Sequence, residues 1–217
     1  MAMKTMMAAA ALVLAIGCGS GSGGSTTGSA SFTGTVRGQS FSPKETLSTD
    51  ATIPTSQGAA NVGAVILTDQ ANTCSHAGAN SEAKGSKYFV IALGELLING
   101  SDLSIIKPKG PGNFGVYSLA SGGFPPSKLA IVVSETTGND CKDTAALEAV
   151  GTGGTVRVTS ISNGSYAGDF DITLTEGDGN GDPKSGGSTD HVTGTFSAAG
   201  CASLGALVST TRSTTCL

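Results

Sequence analysis

The stretch DFDITLT, residues 169–175, alternates strictly between side chains that avoid water and side chains that seek it. Phe170, Ile172 and Leu174 fall on one side, and Asp169, Asp171, Thr173 and Thr175 on the other. That period of two belongs to a half-buried β-strand. The pattern recurs along the chain. Val156 and Val158 alternate with Thr155, Arg157 and Thr159, Phe32, Gly34 and Val36 alternate with Thr33, Thr35 and Arg37, and Val192 and Phe196 share one face of HVTGTF. Three further runs, residues 62–67, 88–93 and 129–133, are apolar throughout and rich in Val and Ile. They are too short for buried helices and read as central strands covered on both faces.

Composition points the same way. Charged residues make up 13% of the chain, about half the usual 25%, and 33 glycines with frequent Ser and Thr favour tight turns over helices. Asn99-Gly100 and Asn163-Gly164 are hairpin-turn pairs able to take positive φ at both positions. Pro111-Gly112 and Pro125-Pro126 mark further loops. One helix is expected, over residues 143–150, with Asp143 as N-cap and Gly151 as its left-handed stop. The expected fold is all-β: a single antiparallel β-sandwich or small barrel of about nine strands, with at most one short helix. FTGTVRG near the start and VTGTFSA near the end read as similar strands, expected to be neighbours that close the sheet.

The net charge is −4, and the densest basic pair, Lys107 and Lys109, sits in a proline-glycine loop. Nothing here would release counterions from a phosphate backbone, so no nucleic-acid partner is expected.

Residues 1–17 have the layout of a secretory signal. Lys4 supplies the positive charge, and residues 6–16 form an apolar core shorter than the about 20 residues that span a bilayer. The core ends in Ala15-Ile16-Gly17-Cys18, which resembles the lipobox of bacterial lipoproteins, with Ala15 where that family prefers Leu. The resemblance covers the first 20 or so residues and implies a diacylglyceryl group on the Cys18 thiol, cleavage before Cys18 and an acylated new terminus. Gly19, where Asp tends to retain such proteins at the inner membrane, implies the outer membrane. Ala15-Ile16-Gly17 also suits the general signal peptidase, and the alternative is a soluble secreted or periplasmic protein. Residues 18–31 then form the lipidated cysteine and a flexible Gly/Ser linker, and residues 32–217 a β-rich extracytoplasmic domain. The Gly/Ser tract reaches roughly 20 Å. Beyond the signal, the chain is similar in style to small β-rich lipoproteins of Gram-negative bacteria, a likeness of composition that implies no activity.

Cysteine parity bears on this reading. Five cysteines leave an odd thiol, and lipidation of Cys18 leaves Cys74, Cys141, Cys201 and Cys216 to form two disulfides. Of three connectivities, Cys74–Cys141 with Cys201–Cys216 is expected, because the second bridge would secure the tail. No Cys-x-x-Cys occurs and His76 and His191 are the only histidines, which disfavours zinc and redox sites.

In the loop EGDGNGDPKSGGSTD, residues 176–190, Asp178, Asn180 and Asp182 stand at alternate positions, as EF-hand calcium ligands do. Pro183 replaces the glycine of that motif, and Thr189 replaces its bidentate Glu. A weak calcium site and a solvated hairpin tip both remain open; no other cofactor is expected. No nucleophile elbow occurs on a strand-turn-helix unit, and Asp190 and His191 would point to opposite strand faces. No catalytic residue is nominated. The expected function is a membrane-anchored extracytoplasmic lipoprotein with a non-catalytic binding or envelope-structural β domain. Its partners are the membrane, through the lipid, and an envelope or extracellular ligand. The alternative is a hydrolase using dispersed carboxylates.

Overall fold

The computed structural model describes residues 27–55, 58–99, 102–121, 124–142, 144–205 and 215–217. The signal-like residues 1–17, Cys18, Gly100 and Asp143 lie outside the described residues. The first strands are β1 Ser29–Thr33, β2 Thr35–Val36, β3 Gln39–Ser40, β4 Glu45–Thr55, β5 Gly58–Thr68, β6 Ser81–Glu82 and β7 Lys87–Asn99. After them come β8 Asp102–Ile106, β9 Gly112–Val116, β10 Lys128–Thr136, β11 Ala149–Ser162, β12 Ser165–Glu176, β13 Thr189–Gly200 and β14 Thr215–Cys216. The helices are short: α1 Thr73–Gly78, α2 Ala202–Gly205, and 3₁₀ turns at Leu119–Ser121 and Ala145–Leu147.

The main sheet has the order β1-β13-β12-β11-β9-β10-β7-β5-β4, and β8 pairs with the edge of β7. Ala199↔Leu47 and Gly200↔Ser48 join β13 back to β4. The sheet therefore closes on itself into a barrel, pairing the end of one strand with the beginning of another, as closure of tilted strands requires. The all-β expectation holds, and the barrel is the architecture formed. Among the described residues of this sheet, only β13–β4 and β10–β9 pair in parallel. The FTGT and VTGT segments are indeed neighbours at the seam, with Phe32 opposite Gly194 and Thr33 opposite Thr193. Gly194 is needed there, because a Cβ would lie 2.5 Å from the Phe170 ring.

Period-two alternation sends Val156, Val158, Phe170, Ile172, Leu174, Val192 and Phe196 into the barrel. They meet a cluster of rings in which Phe32 lies 4.9 Å from Phe41 and 5.2 Å from Phe89. The three uninterrupted apolar runs have a different cause. Val65, Leu67, Phe89, Ile91, Leu93, Ala130 and Val132 face the interior. On the outside, Leu47, Ile66, Tyr88 and Val90 pack with Ala77 and Leu204 of the two helices. Beside them Ala51, Val62 and Ala92 are covered by Ile105 of β8 and by Ile131. Strands buried on both faces have no polar side to alternate with. Around the rest of the barrel the outer face is polar, carrying Arg157–Asp169 at 2.6 Å, Ser31–Thr195 at 2.8 Å and Thr152–Thr175 at 2.9 Å. That is the reverse of a lipid-facing barrel surface.

Several expectations need correction. The disulfides are Cys74–Cys201 and Cys141–Cys216, not Cys74–Cys141 and Cys201–Cys216. Barrel closure brings the end of β13 beside β4, so α2 lands next to α1, while β14 pairs with β6 and carries Cys216 to the Cys141 loop. The helix expected over residues 143–150 is reduced to the 3₁₀ turn, because Ala149 and Val150 pair with both β10 and β12. Gly151 is no helix stop; it lies in β11, where a Cβ would sit 2.8 Å from Val132. Two short α-helices form elsewhere, against the one anticipated. The run from Phe32 to Arg37 is not one strand: Gly34 (φ 112°) bends it, and Arg37 (φ 54°) with Gly38 (φ 70°) turns β2 into β3. β1 begins at Ser29, inside the tract expected to be linker. Asn163 (φ 49°) and Gly164 (φ 76°) form the anticipated turn.

Candidate functional site

β5 pairs with β7 only from Gly63, opposite Leu93, onward. Beyond that point β7 pairs on the same side with β8, from Glu95 opposite Ile106 to Asn99 opposite Asp102. The far half of the β4–β5 hairpin is thus released from the ladder and faces β8 across a gap. The gap is a cleft of about 320 Å³ lined by Asp50, Ala51, Thr52, Asn61, Ile106 and Lys107, at the small end of ligand-site volumes.

Register explains which side chains reach it. Asp50 lies opposite Gly63 and Thr52 opposite Asn61, on the same face of the β4–β5 pair as the interior residues Val65 and Leu67. Asp50 is bridged from two directions. Tyr166, at the start of β12, donates its hydroxyl to Asp50 Oδ1 at 3.2 Å, and Lys107 Nζ lies 2.6 Å from Oδ2. Gly63 permits this, since a Cβ there would stand 2.2 Å from the Tyr166 oxygen. Thr52 donates to Asn61 Oδ1 at 2.9 Å. Burial first, then the Asp50 carboxylate, push the Tyr166 hydroxyl well above the ordinary tyrosine range. It stays protonated near neutrality and donates; it cannot serve there as a base. The cleft offers one carboxylate, one ammonium, a hydroxyl and an amide, a set suited to gripping a polar ligand through hydrogen bonds.

At the opposite end of β12, Glu176 binds Arg37 at 3.0 Å and Lys184 at 2.8 Å. Its carboxyl is held below the usual range, chiefly by the hydrogen bond from Lys184. The acidic loop follows. Asp178 Oδ1 accepts from the backbone N–H of Asn180 at 2.8 Å and of Asp182 at 3.3 Å, and Oδ2 accepts from Asn180 Nδ2 at 3.3 Å. The Asn180 N–H, first among these, lowers the Asp178 pKa. Asp178 and Asn180 are brought together, but the oxygens of Asp178 are engaged by its own loop, and Asp182 contributes its backbone. Among the described residues no three His, Cys, Asp or Glu side chains gather as metal ligands would.

Asp190 and His191 point apart, as anticipated. Asp190 accepts from the Arg37 N–H at 2.7 Å, whereas His191 Nε2 lies 2.8 Å from Asp171 on the exposed outer face. His76 lies on α1 with Nδ1 3.4 Å from the Ser81 hydroxyl.

Asp50, Thr52, Asn61 and Tyr166 were not singled out in the sequence. Their one legible signal is a carboxylate in a strand otherwise free of charge between Thr46 and Thr55. Comparison of the chain with protein-family models, curated proteins and solved structures finds no match.

Proposed function

We propose that this chain is an extracytoplasmic lipoprotein held at the outer membrane through Cys18, and that its barrel is a non-catalytic binding module whose ligand enters the Asp50–Lys107 cleft. The observation carrying this reading is that Cys74, Cys141, Cys201 and Cys216 pair completely, leaving Cys18 as the odd cysteine at the end of an apolar leader. Two structural disulfides in a domain of this size support an oxidising compartment. The cleft supports binding over chemistry, because Asp50 is engaged by both Tyr166 and Lys107 and the described lining residues include no nucleophile-base pair. Acylation on Cys18 with two or three chains would exceed the two-signal requirement for stable anchoring. Metabolic labelling with palmitate tests the assignment. The wild-type chain incorporates label and Cys18→Ser does not; equal labelling of both overturns the reading.

A further inference from the structure

The geometry points to a site for one small monovalent anion, of halide size, at the end of the barrel remote from the Asp50–Lys107 cleft. Along β7 the inward positions are Leu93, Ile91 and Phe89, and alternation makes Lys87 the next. On β10, Ser134 stands opposite Phe89 and Thr136 opposite Lys87, so the apolar interior gives way there to polar side chains. The β2–β3 hairpin covers this end, with Val36 and Phe41 set into the core. Arg37, Gln39, Ser40, Lys87, Ser134 and Thr136 are among the residues that line a recess of about 10 Å³ between hairpin and strands. That is room for one water-sized sphere.

Two features of the lining call for a negative charge. Arg37 Nε is buried and has no hydrogen-bond partner among the described residues. A buried, charged N–H is costly unless something accepts it. The second feature is Lys87, whose half-buried ammonium donates to the Ser40 carbonyl at 3.3 Å. No ion pair among the described residues includes it. The neighbouring charges balance without it: Arg37 and Lys184 share Glu176, and Asp190 accepts from the Arg37 backbone N–H. Glu135, opposite Tyr88, belongs to the outer face, and Asp69 accepts the Lys87 backbone N–H. A water in the recess would satisfy Nε and leave the Lys87 charge uncompensated. An anion answers both, accepting from Nε and Nζ together. Tetrahedral oxyanions exceed so small a recess, which selects a halide. Gln39 and Ser40 are exposed and give the ion a way in. Once bound, it ties the β2–β3 hairpin to β7 and holds that hairpin over the barrel end. Neither the anchor nor the cleft enters this inference.

Chloride NMR line broadening, titrated with the full chain, measures the binding, and anomalous diffraction from wild-type crystals grown in sodium bromide locates it. The wild-type chain is expected to broaden the chloride signal, and added bromide to reverse the effect. Lys87→Met and Arg37→Lys should each weaken chloride binding at least about tenfold, the loss of one charge-assisted hydrogen bond. Lys109→Met, at an exposed position elsewhere, should leave it unchanged. Bromide is expected in contact with both Arg37 Nε and Lys87 Nζ. Equal broadening by the wild type and both site variants overturns the inference. So does a water in the recess with bromide only at scattered surface lysines, an adventitious ion only. The crystal result decides on the wild-type chain even where a variant fails to fold.

Discussion

A methyl group at Gly63 would sit 2.2 Å from the Tyr166 hydroxyl and 2.5 Å from its ring carbon Cζ. Gly63→Ala should therefore cost about 1–3 kcal/mol through overpacking. Tyr166→Phe should cost about 1 kcal/mol for the lost hydrogen bond to Asp50. Because the phenylalanine removes the nearer clash, the double variant should lose less than the sum, as read from urea midpoints. Strict additivity would contradict the contact. Tyr166 and Tyr88 also set an alkaline limit. Both are pushed above the usual tyrosine range by burial first, and then by Asp50 for Tyr166 and by Glu82 for Tyr88. The unfolded chain releases these protons near pH 10 while the folded chain retains them. Stability is thus intact below about pH 10 and declines as pH rises further. Tyrosinate absorbance should rise together with unfolding, and Tyr88→Phe with Tyr166→Phe should flatten that alkaline decline; an unaltered decline would contradict the assignment. Little of the cleft was legible at this scale. Its polar groups come from β4, β5, the segment after β8, and β12, and only the closed barrel brings Tyr166 to Asp50.

Strands whose two faces differ were the most legible elements. DFDITLT reads directly as β12 because water on one side and the core on the other impose opposite demands on neighbouring residues. The uninterrupted runs in β5, β7 and β10 revealed burial on both faces, but not that α1, α2 and β8 provide the outer cover. The Ala-rich segment at residues 144–150 misled for a related reason. Local helix preference is weak, and Ala149 and Val150 gain more by pairing with two strands at once. Glycine positions within β11 separate backbone need from mere tolerance. Gly154 has φ 107° and a Cβ there would lie 2.1 Å from the Asp171 carbonyl oxygen, whereas Gly153 has open space around it. Gly154→Ala should cost about 2–4 kcal/mol. Gly153→Ala should change stability by less than about 0.5 kcal/mol. Thermal melts of the two variants would decide, and equal losses would contradict the difference in backbone conformation and free space between the two positions.

For the whole molecule, one bridge acts at the barrel closure and the other ties β14 to the loop after β10. Cys74–Cys201 joins residues 127 apart and Cys141–Cys216 residues 75 apart, long loops whose closure is worth about 5 and about 4.5 kcal/mol respectively on the chain-entropy estimate. Replacing Cys74 and Cys201 together by Ser should lower stability by about 2–5 kcal/mol and loosen α1 and α2 from the outer face of β4, read as faster amide exchange in both helices. Connectivity was hidden in the sequence because it depends on which distant strands meet, β13 with β4 for one bridge and β14 with β6 for the other, and not on any one segment. The proposed anchor and the observed bridges together account for all five cysteines. Peptide mass mapping of the unreduced protein, purified from the membranes of a Gram-negative host with its leader intact, examines them at once. The account predicts Cys74 linked to Cys201, Cys141 linked to Cys216, and an acylated terminal peptide beginning at Cys18. A Cys18 thiol that is free or bonded to another cysteine would contradict it.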